Sequence, residues 1–190
     1  MRPRHALRLA LPLAGIFLLA LAAARAGALD TVYIVRHAEK STPWPTAREV
    51  SAYQPLSPEG QARAEKLAAR FSGKDIAAIY CSNTTRSIGT AVPLSQQAGI
   101  PLITDDATTK PDQMTAFLLD LRTRHEKDKA VLIVGHSNTV PQLLIALGAT
   151  PDCHERLGIG PTANGLEIEG YEGVWRVDLA MGGCAGVVKE

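Results

Sequence analysis

The stretch TVYIVRHAEK, residues 31–40, joins a run of strand-forming residues to two polar side chains. Residues 32–35 are all β-branched or aromatic, which favours a strand over Thr31–Arg36. The run ends at Arg36 and His37. A strand that finishes on an arginine and a histidine has either reached the protein surface or brought both side chains to a site for an anion.

Strand and helix patterns alternate along the rest of the chain. Strands are predicted at residues 31–36, 76–80, 101–104 and 130–136, and helices at 58–71, 84–97, 111–126 and 138–147, with Pro93 bending or splitting the second helix. Residues 38–57 contain three prolines and read as a long loop, and residues 164–180 read as an antiparallel hairpin or edge pair. This order predicts a three-layer α/β/α sandwich around a mostly parallel sheet with an antiparallel C-terminal edge.

The first 28 residues have the pattern of a secretory signal peptide. Three arginines precede an uncharged apolar run over residues 9–24, and Ala26-Gly27-Ala28 offers a small-residue cleavage site, with Ala24-Arg25-Ala26 as a second candidate. An uncleaved anchor is the alternative, but a 16-residue run that contains Pro12 is short for a membrane-spanning helix. We therefore predict a signal peptide at 1–28 and one domain at 29–190, in the periplasm or outside the cell, without stable membrane insertion after cleavage.

Charge and cysteine content narrow the possible functions of this domain. The first 28 residues hold four of the 20 Lys and Arg residues and none of the 19 Asp and Glu residues, so residues 29–190 have a formal charge of −3. Nucleic-acid binders are usually basic, so we expect no nucleic-acid partner. Export permits a disulfide; Cys153 and Cys184 are the favoured pair, Cys81 would be left over, and three free thiols are the alternative.

Polar side chains follow three of the predicted strands at the point where each strand ends. Arg36 and His37 follow the first strand, Arg86 lies in the first turn of the helix after the second, and His136 ends the strand at 130–135. Ligands of open α/β sheets bind at the carboxyl ends of the strands. Two arginines and two histidines from distant parts of the sequence are therefore predicted to meet at one rim.

These residue types suit a phosphate group. Guanidinium groups offer paired donors that match phosphate oxygens, and the helix that begins near Ser137 adds backbone N–H groups and a positive dipole end. A neutral, oriented imidazole is a nucleophile, and phosphoryl transfer depends mostly on positioning and charge stabilisation, so no metal or other cofactor is required. The set still lacks an acid that would protonate the leaving oxygen.

The segments RHAE (36–39), SNTTRSIGTA (82–91) and VLIVGHSN (131–138) resemble the histidine phosphatase superfamily, which has the phosphoglycerate-mutase-like fold, and in particular its small exported phosphatases. The resemblance covers residues 31–180. It implies that His37 is transiently phosphorylated and that Arg36, Arg86 and His136 form the phosphate pocket, with Ser137 beside them. For the proton donor it points to Asp106, with Asp105 and Glu39 as alternatives.

Two departures from the family pattern bear on the reaction. Ala38 stands where the family often has glycine, and no asparagine follows within residues 40–43, where mutases place one against the phosphate. Lys40, Ser41 or Thr42 would have to substitute. The expected function is a metal-independent phosphomonoester hydrolase that uses a phosphohistidine intermediate on a small-molecule or sugar phosphate ester of the cell envelope. A phosphoglycerate-mutase-type phosphotransferase and a non-catalytic phosphate or phosphosugar binder are the alternatives.

Two further alternatives come from other classes of site. GHSNT (135–139) approaches the nucleophile elbow of serine hydrolases, but Thr139 replaces the final glycine and the chain is short for that fold. A metal site built from His37, His136 and an acid is disfavoured because two neighbouring arginines would repel a divalent cation.

Overall fold

The computed structural model describes residues 29–190, and the predicted signal peptide lies outside the described residues. The strands are β1 Thr31–Arg36, β2 Ile76–Cys81, β3 Leu102–Thr104, β4 Ala130–Gly135, β5 Ile159–Thr162, β6 Gly165–Ile168, β7 Val174–Asp178 and β8 Val187–Lys189. The helices are α1 Arg48–Ala52, α2 Pro58–Arg70, α3 Thr85–Ala98, α4 Pro111–Arg124, α5 Thr139–Ala146 and α6 His154–Leu157. Short 3-10 helices occur at Asp106–Thr109, Pro151–Cys153 and Cys184–Gly186.

Six strands form the main sheet in the order β3-β2-β4-β1-β7-β8. β1 to β4 are parallel, whereas β7 runs antiparallel to β1 on one side and to β8 on the other. β1 is therefore central, with a parallel neighbour on one side and an antiparallel neighbour on the other. The predicted mostly parallel sheet with an antiparallel C-terminal edge is confirmed.

Alternating residues of the central strands pack into two separate hydrophobic cores, one on each face of the sheet. On one face, Ile34 and Ile133 pack with apolar side chains of α4 and α5, among them Phe117 and Leu143. The other face packs against side chains of α2 and α3. All six residues of β4 are buried, as expected for a strand covered on both faces. The molecule is thus the predicted three-layer α/β/α sandwich.

Local sequence signals account for the start of α2. Ser57 is its N-cap and accepts a hydrogen bond from the Gly60 backbone N–H at 3.1 Å, and Pro58 occupies the first helical position. α3 begins in the same manner, with Thr84 as N-cap. It then continues through Pro93 as one helix, so the predicted split does not occur.

The structure corrects two predictions. β6 and β7 do not form a hairpin: β6 pairs with β5 in a separate two-stranded sheet, and β7 joins β1. Pro161 lies in β5, and a proline is unusual in a strand, so the sequence did not indicate β5. The proline is tolerated there because both strands of a two-stranded sheet are edge strands. The long loop at 38–57 contains helix α1, which buries no residue and so has no apolar periodicity to reveal it.

A disulfide joins Cys153 to Cys184, the pair favoured from the sequence, and Cys81 is a buried free thiol. The bridge connects the 3-10 helix before α6 to the one before β8. Among residues 29–190, no helix combines the length and the apolar character that a membrane crossing requires.

Candidate active site

The ends of β1, β2 and β4 lie side by side, as the strand register requires. Arg36 pairs with Gly135, and Cys81 pairs with Val134. The His37 backbone N–H donates to the Gly135 carbonyl at 2.9 Å, which extends the pairing one residue beyond β1. The residues that follow these three strands therefore meet at the carboxyl edge of the sheet.

His37 is buried, with 4% of its surface exposed, and its ring is held in one orientation. Nδ1 lies 2.7 Å from the Ala38 carbonyl oxygen. A carbonyl can only accept, so Nδ1 carries the proton and Nε2 presents its lone pair. Burial lowers the pKa of His37 to about 3, and the charges of Arg86 and Arg36 act in the same direction. The ring is thus neutral, with the electron pair that a nucleophile needs.

Arg86 connects both histidines. Its Nε–H donates to His37 Nε2 at 3.2 Å, and its Nη2 lies 3.4 Å from His136 Nδ1. Its Nη1 donates to the Ser51 carbonyl oxygen at 2.8 Å. Ser51 belongs to α1, so the helix that the sequence failed to reveal holds the guanidinium in place. Burial lowers the pKa of Arg86, but an arginine remains charged.

His136 is fixed by a buried hydroxyl network. Its Nε2 lies 2.8 Å from Ser82 Oγ, which in turn donates to Ser87 Oγ at 3.0 Å. Burial lowers the pKa of His136 to about 4. Its ring centroid is 5.0 Å from that of His37, so the two rings are in contact and one phosphoryl group beside them could reach both. Both ring nitrogens of His136 face Ser82 or Arg86, which leaves no imidazole base for Ser137.

Arg36 completes the set from the other side. Its Nη1 donates to the Gly170 carbonyl oxygen at 2.9 Å, and its Cζ lies 4.1 Å from the centroid of the Tyr171 ring. Its Nε is buried and has no hydrogen-bond partner among the described residues 29–190. A buried donor without a partner is costly and is expected to be satisfied by a bound group.

The four side chains predicted from the sequence border one open cavity of about 290 Å³. Ser137, also predicted to contact phosphate, lines it too. None of the lining residues is acidic, and the set comprises Arg36, His37, Lys40, Thr84, Arg86, Thr109, His136, Ser137, Asn138 and Thr139. Lys40, one of the three residues named as substitutes for the missing asparagine, is thus placed at the cavity. This lining favours a dianion.

The three candidate proton donors occupy different environments. Asp106 does not line the cavity; its exposed carboxylate lies 3.5 Å from Lys110 Nζ. It lies on the same face of the 3-10 helix as Thr109, which does line the cavity, because side chains three residues apart eclipse in such a helix. Asp105 Oδ1 accepts the Ala107 N–H at 2.9 Å.

Glu39 is bound tightly elsewhere. Arg63 donates hydrogen bonds of 2.6–2.8 Å to both carboxylate oxygens of Glu39. These bonds lower the pKa of Glu39, so its carboxylate stays ionised and is a poor acid.

Sequence reasoning missed Ser82, Tyr171 and the backbone of α1. Ser82 directly follows β2, so its position at the carboxyl edge was available as a signal. Tyr171 stands between two glycines just before an antiparallel neighbour of β1, which is a weaker signal. Within residues 29–190, no group of three or more His, Cys, Asp or Glu side chains is arranged to hold a metal ion.

A family model described as the histidine phosphatase superfamily (branch 1) matches residues 32–109, a span that holds Arg36, His37 and Arg86. A comparison with curated proteins finds no match.

Several solved structures share the fold. A candidate phosphohistidine phosphatase, SixA from Agrobacterium tumefaciens, is 24% identical with a TM-score of 0.57, over 78% of this chain and 90% of that one. A mycobacterial glucosyl-3-phosphoglycerate phosphatase is 15% identical with a TM-score of 0.59, over 85% and 96%. The protein histidine phosphatase SixA bound to tungstate is 15% identical with a TM-score of 0.60, over 84% and 94%.

At these identities the likeness concerns the fold. The match to the family model and the fold point to the same group of proteins. Residues 32–109 therefore match the histidine phosphatase superfamily, and the fold is shared with solved phosphatases.

Proposed function

We propose that the protein is a phosphatase that hydrolyses phosphate monoesters through a phosphohistidine on His37. Members of the superfamily are phosphatases and mutases. The observation that carries the proposal is the state of His37: a buried neutral ring whose Nδ1–H is held by the Ala38 carbonyl and whose Nε2 points at Arg86. A protein that only binds phosphate needs the arginines but has no use for an oriented, unprotonated Nε2.

The proposed reaction has two steps. His37 Nε2 attacks phosphorus, the P–N bond forms, the P–O bond to the alcohol breaks, and the leaving oxygen takes a proton from an acid. Water then attacks the phosphohistidine, the P–N bond breaks, and the acid regains a proton from that water as inorganic phosphate forms. The ring gains positive charge in the first step, and the Ala38 carbonyl stabilises that charge through Nδ1–H.

Charge on the transferring group would be stabilised by three side chains. Arg36 and Arg86 supply guanidinium N–H groups. His136 would donate from Nδ1 once the Ser82 hydroxyl proton turns from Ser87 to His136 Nε2 and so sets that tautomer. In the free protein, Arg86 Nε–H donates to the lone pair of His37 Nε2. The bound phosphate would have to accept this hydrogen bond instead before His37 could attack. None of these roles calls for a metal ion.

Asp106 is the proposed acid. Glu39 is held as a carboxylate by Arg63, and Asp105 caps a 3-10 helix, whereas Asp106 has only an exposed contact with Lys110 and shares a helix face with Thr109. The signal-peptide pattern and the Cys153–Cys184 bridge support a location outside the cytoplasm and hence a phosphate ester of the periplasm or cell envelope. A glycolytic mutase would have no substrate there.

Trapping the intermediate tests the proposal. The protein with residues 1–28 removed is mixed with p-nitrophenyl phosphate, quenched in alkali, and analysed by mass spectrometry. We expect one phosphoryl group on the peptide that carries His37, and a fall in kcat of more than about a thousandfold in His37→Ala. His154→Ala, a histidine outside the site, is the control and should keep its activity. Full turnover by His37→Ala, or phosphonylation of Ser137 by a fluorophosphonate, would contradict the proposal.

A second candidate is the dephosphorylation of phosphohistidine in a protein, the activity for which the SixA proteins are named. The acid-free lining of the cavity favours it, because a phosphoimidazole protonated at its other nitrogen leaves as neutral imidazole without an enzymic acid. A phosphoramidate substrate added to the ester panel separates the two. Faster turnover of the P–N substrate than of every ester would favour the second candidate.

A further inference from the structure

The loop between β6 and β7, residues 169–173, passes along the side of the cavity where Arg36 lies. Its sequence is EGYEG. Gly170 has φ of +67°, a left-handed conformation that glycine adopts without strain, and its carbonyl oxygen accepts the Arg36 Nη1–H at 2.9 Å. The turn at Gly170 thus directs a carbonyl at the guanidinium and places the next side chain, Tyr171, beside it.

Tyr171 lies against the face of the Arg36 guanidinium. The distance from Arg36 Cζ to the ring centroid is 4.1 Å, well within the range of a cation–π contact. The same ring lies 5.9 Å from the His37 ring, centroid to centroid, with a tilt of 53°. Tyr171 therefore touches the charged end of Arg36 at a position adjacent to the proposed nucleophile.

Arg36 depends on this loop for its orientation. Within residues 29–190 it forms no ion pair with a carboxylate, and the only hydrogen bond of its side chain goes to the Gly170 carbonyl. A carboxylate partner would fix the guanidinium but would also neutralise it and use up donors that phosphate needs. An aromatic face restricts its rotation while leaving its charge and in-plane N–H groups available.

The loop itself is anchored. Arg63 of α2 contacts Glu172 at 2.9 Å and also binds Glu39, two residues after His37. At Gly173 an added Cβ would lie 2.4 Å from the Trp175 ring, so the chain passes close to β7 there. The C-terminal end of the loop is thus held by Arg63 and β7, and near its other end Gly170 is bound to Arg36, with Tyr171 between these contacts.

We propose that Tyr171 is a positioning residue that holds Arg36 in the orientation that binds the substrate phosphate. An effect of Tyr171 on catalysis depends on the proposed function being correct. Whether or not the protein is an enzyme, the inference requires that the Tyr171 ring increase the affinity of the cavity for a phosphate group.

Two substitutions at one position test the ring. Tyr171→Phe keeps the aromatic face and removes the hydroxyl, whereas Tyr171→Leu removes the face at similar bulk. For Tyr171→Leu we expect kcat/KM for p-nitrophenyl phosphate to fall about tenfold, mainly through KM, with an equal loss of affinity for inorganic phosphate. Tyr171→Phe should stay within about twofold of the parent on both measures, and thermal melting would verify that both variants fold.

Calorimetric titration with inorganic phosphate keeps this test separate from the proposed function. If the parent protein binds phosphate but turns over no ester, the proposed function fails while the phosphate affinity of Tyr171→Leu still reports on Arg36. Unchanged phosphate affinity in Tyr171→Leu would overturn the inference. So would an equal loss in Tyr171→Phe, since the hydroxyl and not the aromatic face would then be responsible.

Discussion

At the scale of single residues, the site depends on keeping a histidine neutral beside positive charge. Burial disfavours the protonated form of His37, and the nearby guanidinium groups disfavour it further, so both influences lower its pKa together. The arginines that would bind the substrate therefore also help to keep the proposed nucleophile unprotonated. One set of charges performs both tasks.

The role of Asp106 can be tested through the leaving group. Replacing Asp106 with asparagine removes the proton but keeps the size, so we expect kcat for an alkyl phosphate to fall about a hundredfold. Nitrophenolate leaves without protonation, so p-nitrophenyl phosphate should slow by less than about threefold. Asp105→Asn is the matched control, because an amide oxygen still accepts the Ala107 N–H. Equal slowing of both substrates by Asp106→Asn would remove Asp106 from the mechanism.

The sequence predicted the convergence of Arg36, His37, Arg86 and His136 because each directly follows a strand, or opens the helix after one, in a parallel sheet. Their catalytic roles stay predictions. It did not predict Tyr171 or Ser82, whose roles depend on contacts with residues far away in the chain. Neither an aromatic ring between glycines nor a serine after a strand has a periodic pattern, so only the folded arrangement identifies the partner.

At the scale of elements, the site depends on a close approach between α2 and the chain that leaves β1. A Cβ added at Gly60 in α2 would lie 2.1 Å from the Glu39 carbonyl oxygen, which also accepts the Ser57 N–H at 2.9 Å. The absence of a side chain at Gly60 therefore lets the start of the helix rest against the segment that carries His37 and Glu39.

Gly60→Ala should destabilise the fold although it places alanine in a helix. Alanine normally gains about 0.5–1 kcal/mol over glycine there, but the contact with backbone must move, and we expect a net loss of about 1–3 kcal/mol in the free energy of unfolding. Gly89→Ala in α3 is the control, because its Cβ would meet only the Leu56 side chain at 3.2 Å. Urea unfolding measures both variants. A Gly60→Ala protein as stable as its parent would refute the close approach.

Element types were easier to predict than element partners. Alternation in residues 164–180 correctly indicated extended chain, yet the two strands belong to different sheets. Period-two alternation reports which side of a strand is buried but contains nothing about which strand lies beside it. The chain turns at Gly170, and the loop crosses to β1 before the second strand begins.

At the scale of the whole molecule, the buried histidines make stability depend on pH. In the unfolded chain His37 and His136 titrate near 6.5, whereas burial lowers their pKa in the fold to about 3 and about 4. Between the folded and unfolded pKa values, the unfolded state binds protons that the folded state excludes. The contribution of the two histidines to the free energy of unfolding is therefore complete above pH 6.5 and decreases as the pH falls. We expect a loss of about 2 kcal/mol per histidine between pH 7 and pH 5.

Urea unfolding in phosphate-free buffer at these two values of pH measures the effect. The variant His37→Gln/His136→Gln should lose most of the slope, leaving the smaller contribution of His125, whose pKa is also lowered by burial. Because the pKa of Glu39 is lowered, this carboxylate changes the free energy of unfolding only below the usual pKa of a glutamate, which lies under pH 5. An unchanged slope in the double variant would show that the two rings are not kept neutral by the fold.

The position of β1 between a parallel and an antiparallel neighbour has a consequence for how such proteins diversify. β4 runs alongside β1 and ends beside it, so it delivers His136 from a rigid strand end. β7 runs the other way and begins there, so its neighbour at the cavity is a connecting loop, residues 169–173. His136 thus follows the strand on one side of β1, whereas the loop that contacts Arg36 leads into the strand on the other side. Loop exchange that keeps Gly170 and an aromatic residue at 171 should therefore change the surface beside Arg36 without disturbing the other residues of the cavity.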